Sequence, residues 1–87
     1  MSSISEQTYQ ELASVILQCG GITVSIHRLS HRGTTFADIG VDSLGMLAVV
    51  RELEHRRRVD LGATAAQDCR TPHQLMSRLC EACDGEV

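Results

Sequence analysis

The chain has 87 residues, which is enough for one small domain and too few for an active-site cleft between two lobes. Its formal net charge of −3 argues against a general nucleic-acid-binding protein, and the absence of lysine among its eight basic residues excludes Schiff-base chemistry. Aromatic residues make up only 2% of the sequence, so the core must be built from aliphatic and sulfur-containing side chains, which favours packed helices over a sheet. No signal-peptide pattern and no membrane-length apolar run is present. We therefore expect a soluble, cytoplasmic protein with reduced cysteines and no membrane partner.

The first predicted helix spans residues 5–19. Its apolar side chains recur at steps of three and four residues and form one stripe: Tyr9, Leu12, Ala13, Ile16 and Cys19. Ser3 together with Glu6, or Ser5 alone, is expected to cap the start of this helix. The pair Gly20-Gly21 is expected to end it.

Residues 20–41 are predicted to form a long ordered loop. Ile22, Val24 and Ile26 alternate with polar residues, which in isolation is typical of a strand, but no second segment is available to pair with it. A loop of this length needs anchoring or a function. We expect four apolar side chains to anchor it on the helices: Ile26, Leu29, Phe36 and Ile39.

The second predicted helix spans residues 43–57, with Asp42 as its N-cap. Its core-facing arc is predicted to contain Met46, Leu47, Val50 and Leu53. A different side of the helix, facing solvent or a partner, is predicted to contain Leu44, Ala48, Arg51 and His55.

Three consecutive arginines, Arg56, Arg57 and Arg58, close this helix, where positive charge is favourable. Arg57 falls on the core arc, and we expect its stem to pack while its guanidinium reaches solvent. A nucleic-acid-binding patch is the alternative interpretation. It is weaker because the chain as a whole is acidic.

A short third helix is predicted near residues 63–68, and a fourth begins with Thr71 as N-cap, Pro72 at the first helical position and Gln74 completing a capping box. Five residues give the fourth helix its apolar face: Leu75, Met76, Leu79, Cys80 and Cys83. The prediction is therefore an all-α domain covering residues 1–87, with an ordered core of about 5–83. It is a small four-helix bundle, with three longer helices, one short helix and a long ordered loop between the first two.

Ser43 is the residue on which a function can be built. Phe36 and Ile39 anchor the approach to it, and Gly40 permits a tight turn before the helix. A serine at a helix N-terminus is ordinarily part of a cap. The same position favours a phosphate group, because free N–H groups and the positive end of the helix dipole meet there. No histidine and oxyanion-hole arrangement is evident, so a catalytic serine is disfavoured.

The segment from Phe36 to Leu44 reads Phe-Ala-Asp-Ile-Gly-Val-Asp-Ser-Leu, which resembles the modification site of acyl carrier proteins. The resemblance extends from Leu12 to about Ala82 and includes Leu53-Glu54 and Cys69-Arg70-Thr71-Pro72. A Thr-Pro at this distance from Asp-Ser-Leu is similar to the carriers of type II aromatic polyketide synthases. The runs 42–47 and 51–54 are most similar to the spore-pigment and pentangular-polyphenol subgroup.

The resemblance implies an acyl-carrier-like bundle that catalyses nothing itself. Ser43 would carry covalent 4′-phosphopantetheine, whose thiol holds malonyl and growing polyketide intermediates as thioesters. Asp42 would help the transferase to recognise the site, and Leu44 would lie at the docking surface beside it. The implied partners of this expected monomer are a phosphopantetheinyl transferase, a malonyl transferase, a ketosynthase with its chain-length factor, a ketoreductase and cyclases.

The sequence departs from the family on the predicted partner face. Many carriers have a glutamate-rich second helix that docks on arginine and lysine patches, whereas this chain has Ala48, Arg51 and His55 there. The expected docking residues are Leu44, Ala48, Arg51, His55 and Asp38. We expect docking to depend less on charge, and more on apolar contact, than is usual in the family.

Several alternatives remain open from the residues alone. A zinc site built from Cys69, His73, Cys80 and Cys83 has suitable ligand types, although buried thiols on a core face explain the cysteines equally well. A redox Cys-x-x-Cys normally opens a helix, and this one closes a helix. A peptidyl carrier domain and an unmodified helical interaction module are the alternative functions. Met46, Val49, Leu53 and loop residues are either core or the lining of a small acyl cleft.

Overall fold

Helices make up most of the computed structural model, which describes residues 6–84. Within that range six helices follow one another: α1 (Glu6–Gly20), α2 (Ile26–Ser30), α3 (Phe36–Ile39), α4 (Ser43–Arg57), α5 (Ala65–Asp68) and α6 (Pro72–Asp84). The long helices α1, α4 and α6 and the short α5 are the four predicted from the sequence, so the all-α bundle is confirmed. Residues 6–84 contain no strand. Ile22 and Val24 lie in the connection that precedes α2, and Ile26 is the first residue of α2.

The buried face of α1 is formed by Tyr9, Leu12, Val15 and Ile16, while Ala13 and Cys19 are partly buried against the same core. The helix ends where Gly21 takes the left-handed conformation, with φ of 68°, and donates its N–H to the Leu17 carbonyl oxygen at 2.8 Å. The predicted caps Ser3 and Ser5 lie outside the described residues.

The predicted long loop contains the short helices α2 and α3. Ser25 caps α2 by accepting a hydrogen bond from the Arg28 N–H at 3.2 Å, and Thr35 caps α3. Leu29 and Phe36 are buried in the core. Ile26 and Ile39 pack against the core from a partly buried position, so all four predicted anchors are confirmed.

Helix α4 has the predicted bounds, but its buried face differs from the predicted arc at two positions, because Val49 is buried in place of Leu47. Met46, Val49, Val50 and Leu53 are buried, and they follow the i, i+3, i+4, i+7 spacing of a single helical face. The prediction was wrong for Leu47, which lies at the edge of that face and is 47% exposed. Leu47 is therefore available to a groove or a partner.

The basic end of α4 is attached to α1. Arg57 donates to Glu11 Oε1 at 2.6 Å, and Arg56 donates to both Glu52 at 2.8 Å and Gln18 at 2.6 Å. The Arg57 side chain is 39% exposed, so its guanidinium lies at the surface, as predicted, and pairs there. Two of the three consecutive arginines are thus used in contacts within the domain.

The start of α6 is the predicted capping box. Thr71 Oγ1 accepts from the Gln74 N–H at 3.1 Å, and Gln74 Oε1 accepts from the Thr71 N–H at 3.3 Å and the Arg70 N–H at 2.8 Å. Leu75, Met76 and Leu79 are buried, and together with Leu61 and Ala65 they close the core.

None of the four cysteines, all of which lie within residues 6–84, forms a disulfide bond. Cys69 is buried, and Cys83 packs against the core from a partly buried position. No three or more His, Cys, Asp or Glu side chains within residues 6–84 are grouped so that they could hold a metal ion. In the same range, no helix has the length and apolarity needed to cross a bilayer.

Two leucines on α1 provide a matched test of this core. Leu12 is 0% exposed, whereas Leu17 on the same helix is 50% exposed. We expect Leu12→Ala to reduce the free energy of unfolding by about 2–5 kcal/mol, because it removes buried methyl groups and leaves a cavity. Leu17→Ala makes the same change in helix propensity. It should reduce the free energy of unfolding by less than about 0.5 kcal/mol. Urea unfolding followed by circular dichroism measures both, and equal losses would contradict this packing.

Candidate functional site

A pair of tight turns leads the chain into α4. Thr35 Oγ1 accepts from the Asp38 N–H, and Asp38 Oδ2 accepts from the Thr35 N–H, each at 3.1 Å, which closes a capping box around α3. Hydrogen bonding of the Asp38 carboxylate to the Thr35 backbone N–H, and then to the Thr35 hydroxyl, holds the pKa of the Asp38 carboxyl below its usual value. Gly40 then takes φ of 98°, a left-handed conformation that favours glycine, and ends α3.

Val41 and Asp42 fix the position at which α4 begins. The Val41 side chain is buried, and its N–H donates to the Phe36 carbonyl oxygen at 2.9 Å. Asp42 Oδ1 accepts from the Gly45 N–H at 2.7 Å, so the predicted N-cap is confirmed. A Cβ atom on Gly45 would lie 3.2 Å from this carboxylate oxygen and 3.1 Å from Val41 Cγ1. Glycine at this position therefore lets the cap approach closely.

Ser43 is the first residue of α4 and is exposed to solvent. The N–H groups in the first turn of a helix lack partners within the helix, and the helix dipole is positive there. An anionic substituent on the Ser43 hydroxyl would therefore be favourably placed. No hydrogen bond joins Ser43 to a histidine within residues 6–84.

Ser43 lines a groove of about 560 Å³. Residues of α3, α4, α5 and the α5–α6 connection form its walls, with Phe36, Met46 and Cys69 among the apolar ones. A second groove of about 350 Å³, between α1 and α4, is lined by Leu44, Ala48 and Cys19. Asp42 borders both grooves, so the start of α4 forms a ridge between them. A group attached to Ser43 has one of these grooves directly beside it.

The predicted docking residues on α4 occur at steps of four, three and four residues and form one stripe along the helix. Leu44 is 76% exposed, Arg51 and His55 are exposed, and Ala48 is partly buried. Asp38 lies apart from this stripe, on α3. Leu47, which the sequence assigned to the core, widens the exposed apolar part of α4.

The carboxylates of α4 are used inside the domain. Glu52 accepts from Arg56 at 2.8 Å, and Glu54 accepts from the Leu61 backbone N–H at 2.8 Å. Arg51, by contrast, makes no hydrogen bond or ion pair with any residue that the structure describes. The charge that α4 offers to a partner is therefore basic rather than acidic.

Sequence comparison identifies relatives for most of the chain. Residues 10–79 match the family model described as the phosphopantetheine attachment site. The chain is 30% identical over 76 residues to a probable acyl carrier protein of Streptomyces halstedii, a match that covers 86% of this chain and 82% of that protein. It is also 42% identical over 55 residues to the curamycin polyketide synthase acyl carrier protein of Streptomyces cyaneus. That match covers 63% of this chain and 64% of the relative, which is just under two thirds of its length.

The fold has a solved counterpart. The solution structure of the oxytetracycline acyl carrier protein superimposes with a TM-score of 0.73 at 24% sequence identity. The superposition covers 100% of this chain and 90% of that one. At this identity the likeness concerns the fold, and it agrees with the helical bundle described above.

The Asp42 cap can be tested by two substitutions. We expect Asp42→Ala to cost about 0.5–2 kcal/mol of unfolding free energy, because the Gly45 N–H then loses its acceptor. Asp42→Asn keeps an acceptor oxygen and should cost less. Chemical unfolding at neutral pH measures both variants, and an alanine variant as stable as the native chain would show that the cap is not needed.

Proposed function

The chain belongs to the family of phosphopantetheine-attachment domains to which acyl carrier proteins belong, and from this we propose that Ser43 is the attachment residue. The observation that carries the proposal is the exposed Ser43 hydroxyl at the capped N-terminus of α4, inside the part of the chain that matches the family. The residues present fit the group: the first turn of α4 favours its phosphate, and the adjoining groove gives the rest of it an apolar surface.

We propose that the protein carries malonyl and growing polyketide intermediates for a type II polyketide synthase. The similarity to the curamycin carrier supports this assignment. When attached, 4′-phosphopantetheine supplies a terminal thiol that holds an acyl group as a thioester. Ser43 provides the fixed point of attachment, Asp42 and Val41 hold the helix start in place, and the domain itself performs no catalysis.

The proposed partners follow from this role. They are a phosphopantetheinyl transferase, a malonyl transferase, a ketosynthase with its chain-length factor, a ketoreductase and cyclases, all of which must reach Ser43 in turn. We propose a cytoplasmic monomer, because a carrier that visits several enzymes needs a free surface around its attachment point. Both relatives reported above are acyl carriers, which favours this function over a peptidyl carrier or an unmodified interaction module.

Attachment at Ser43 is tested by mass spectrometry of the intact protein. After incubation with coenzyme A, magnesium and a broad-specificity phosphopantetheinyl transferase, we expect the native chain to gain one phosphopantetheine. Ser43→Ala should gain none. Ser30→Ala is the matched control, because Ser30 is also exposed but lies on the short helix α2. This substitution should leave the gain in mass unchanged. No gain in the native chain would exclude the carrier function.

We further propose that partners dock on the α4 stripe Leu44, Ala48, Arg51 and His55, and on Asp38, which lies apart from the stripe on α3. The exposed Leu44 and Leu47 supply apolar area, while Glu52 and Glu54 already have partners within the domain. Docking should therefore rely mainly on apolar contact.

The proposed docking surface predicts a weak dependence on salt. Binding of the modified chain to its ketosynthase–chain-length factor pair should weaken only slightly between low and high ionic strength, because few charges are available to be screened. Leu44→Ala should weaken binding more than Leu17→Ala, which removes an exposed leucine from α1. Surface plasmon resonance at several salt concentrations measures both effects. A steep loss of affinity with salt would contradict the proposal.

A further inference from the structure

Arg70 lies on the wall of the groove that Ser43 lines. Its backbone is held on both sides: its N–H donates to Gln74 Oε1 at 2.8 Å, and its carbonyl oxygen accepts from the Phe36 N–H at 2.9 Å. These two bonds attach the α5–α6 connection to the start of α6 and to α3. The root of the Arg70 side chain is therefore fixed relative to the groove.

The Arg70 guanidinium brings a positive charge to the groove. Among residues 6–84 no carboxylate or carbonyl oxygen accepts a hydrogen bond from it, and the residue is exposed. Arg78, the next arginine along the chain, shows the contrast, because it pairs with Asp68 at 3.3 Å. The buried neighbours Cys69 and Pro72 hold the chain in place on either side of Arg70 without neutralising it.

The anions near the groove do not compensate for this charge. Asp42 is the one carboxylate among the described residues that line it, and its Oδ1 accepts from the Gly45 N–H at 2.7 Å. Asp38, on the adjacent helix α3, accepts from the Thr35 N–H at 3.1 Å. Both carboxylates therefore accept hydrogen bonds from backbone N–H groups at the start of a helix, and no hydrogen bond joins either of them to Arg70. Arg70 remains as the cation available to a ligand.

An apolar groove with one free arginine suits a ligand that has an apolar body and an anionic end. Phe36, Met46 and Leu47 provide the apolar wall. The planar guanidinium donates two parallel hydrogen bonds to a carboxylate or a phosphate, which is the reason that arginine recognises these groups well. Neutral groups would gain nothing comparable from Arg70.

We propose that Arg70 binds an oxyanion that is attached through Ser43, and that it favours an anionic over a neutral acyl group where that oxyanion is a carboxylate of the acyl group. This inference rests on the proposed function. The oxyanion has two possible sources with the same chemistry: the phosphodiester at Ser43 and the carboxylate of a malonyl-type acyl group. Arg70 acts as a specificity-determining residue, and an exposed pair of this kind gives a preference of roughly 1.5- to 5-fold.

The test compares four forms of the ¹⁵N-labelled protein: unmodified, modified with free thiol, acetyl-loaded and malonyl-loaded. A broad-specificity transferase prepares the last three from coenzyme A, acetyl-coenzyme A and malonyl-coenzyme A, and intact mass confirms each form. Arginine Nε–Hε resonances are then recorded, and the Arg70 signal is assigned by its loss in Arg70→Gln. The matched control is Arg32→Gln, because Arg32 is also exposed and does not line the groove.

We expect the Arg70 Nε–Hε signal to shift and the Arg32 signal to stay in place. A shift in all three modified forms assigns the oxyanion to the phosphodiester, and a shift in the malonyl form alone assigns it to the carboxylate. In either case added salt should reverse the shift, since the pair is exposed. Arg70→Lys keeps the positive charge without the planar guanidinium. In this variant the neighbouring backbone amide signals should keep part of their salt-dependent shift, whereas in Arg70→Gln they should lose it.

The outcomes separate this inference from the proposed function. If Ser43 accepts the arm and the Arg70 signal is the same in all four forms, the inference is overturned and the carrier function stands. An equal shift in the acetyl and malonyl forms, absent from the free-thiol form, also overturns it, because the response then follows the acyl group rather than its charge. If the native chain gains no mass, the proposed function and this inference fall together.

Discussion

The start of α4 is the constraint on which the rest of the site depends. Three hydrogen bonds determine where this helix begins: Gly40 N–H and Val41 N–H to the Phe36 carbonyl oxygen, and Gly45 N–H to the Asp42 carboxylate. The buried side chains of Phe36 and Val41 attach this turn to the core, so the helix start cannot move without exposing apolar surface. Ser43 follows directly. Ser43, although exposed, is thereby held by buried neighbours, as its proposed role as the attachment point of a mobile group requires.

The sequence predicted these features where local chemistry decides them. The bounds of α4 and the capping box of α6 follow from residues that lie within four positions of one another, so a local reading finds them. Helices α2 and α3 were read as loop, because segments of five and four residues are too short to show a 3.6-residue period. The N-cap residues Ser25 and Thr35 were the feature of the sequence from which these two helices could have been predicted. The prediction for Leu47 was wrong because apolar residues lie at both edges of the buried face of α4. Only packing against the rest of the domain determines which edge is buried.

Contacts between distant parts of the chain could not be predicted from the sequence. Arg57 and Glu11 are 46 positions apart, and no local pattern indicates that they pair. The same holds for the groove beside Ser43, which is built from α3, α4, α5 and the connection before α6. Arg70 was visible in the sequence only as part of the Cys-Arg-Thr-Pro segment, and it became a candidate ligand-binding residue when the fold placed it beside Ser43. Residues within one helix could thus be assigned to a face, whereas a cavity wall needed the tertiary structure.

The charges around α4 differ between the groove that Ser43 lines and the exposed stripe along the helix. On one side of the ridge formed by the start of α4, Arg70 and an apolar wall line the groove, which suits the phosphopantetheine that we propose at Ser43. Along the exposed stripe, Leu44 and Arg51 face outward, while the carboxylates Glu52 and Glu54 are held by contacts within the domain. An acidic stripe would attract basic partner surfaces over long distances. The stripe on α4 gives much less electrostatic attraction of this kind. In the docking that we propose, selection of the partner depends on the fit of apolar side chains at close range, and the buried turn before Ser43 holds the start of that helix in place.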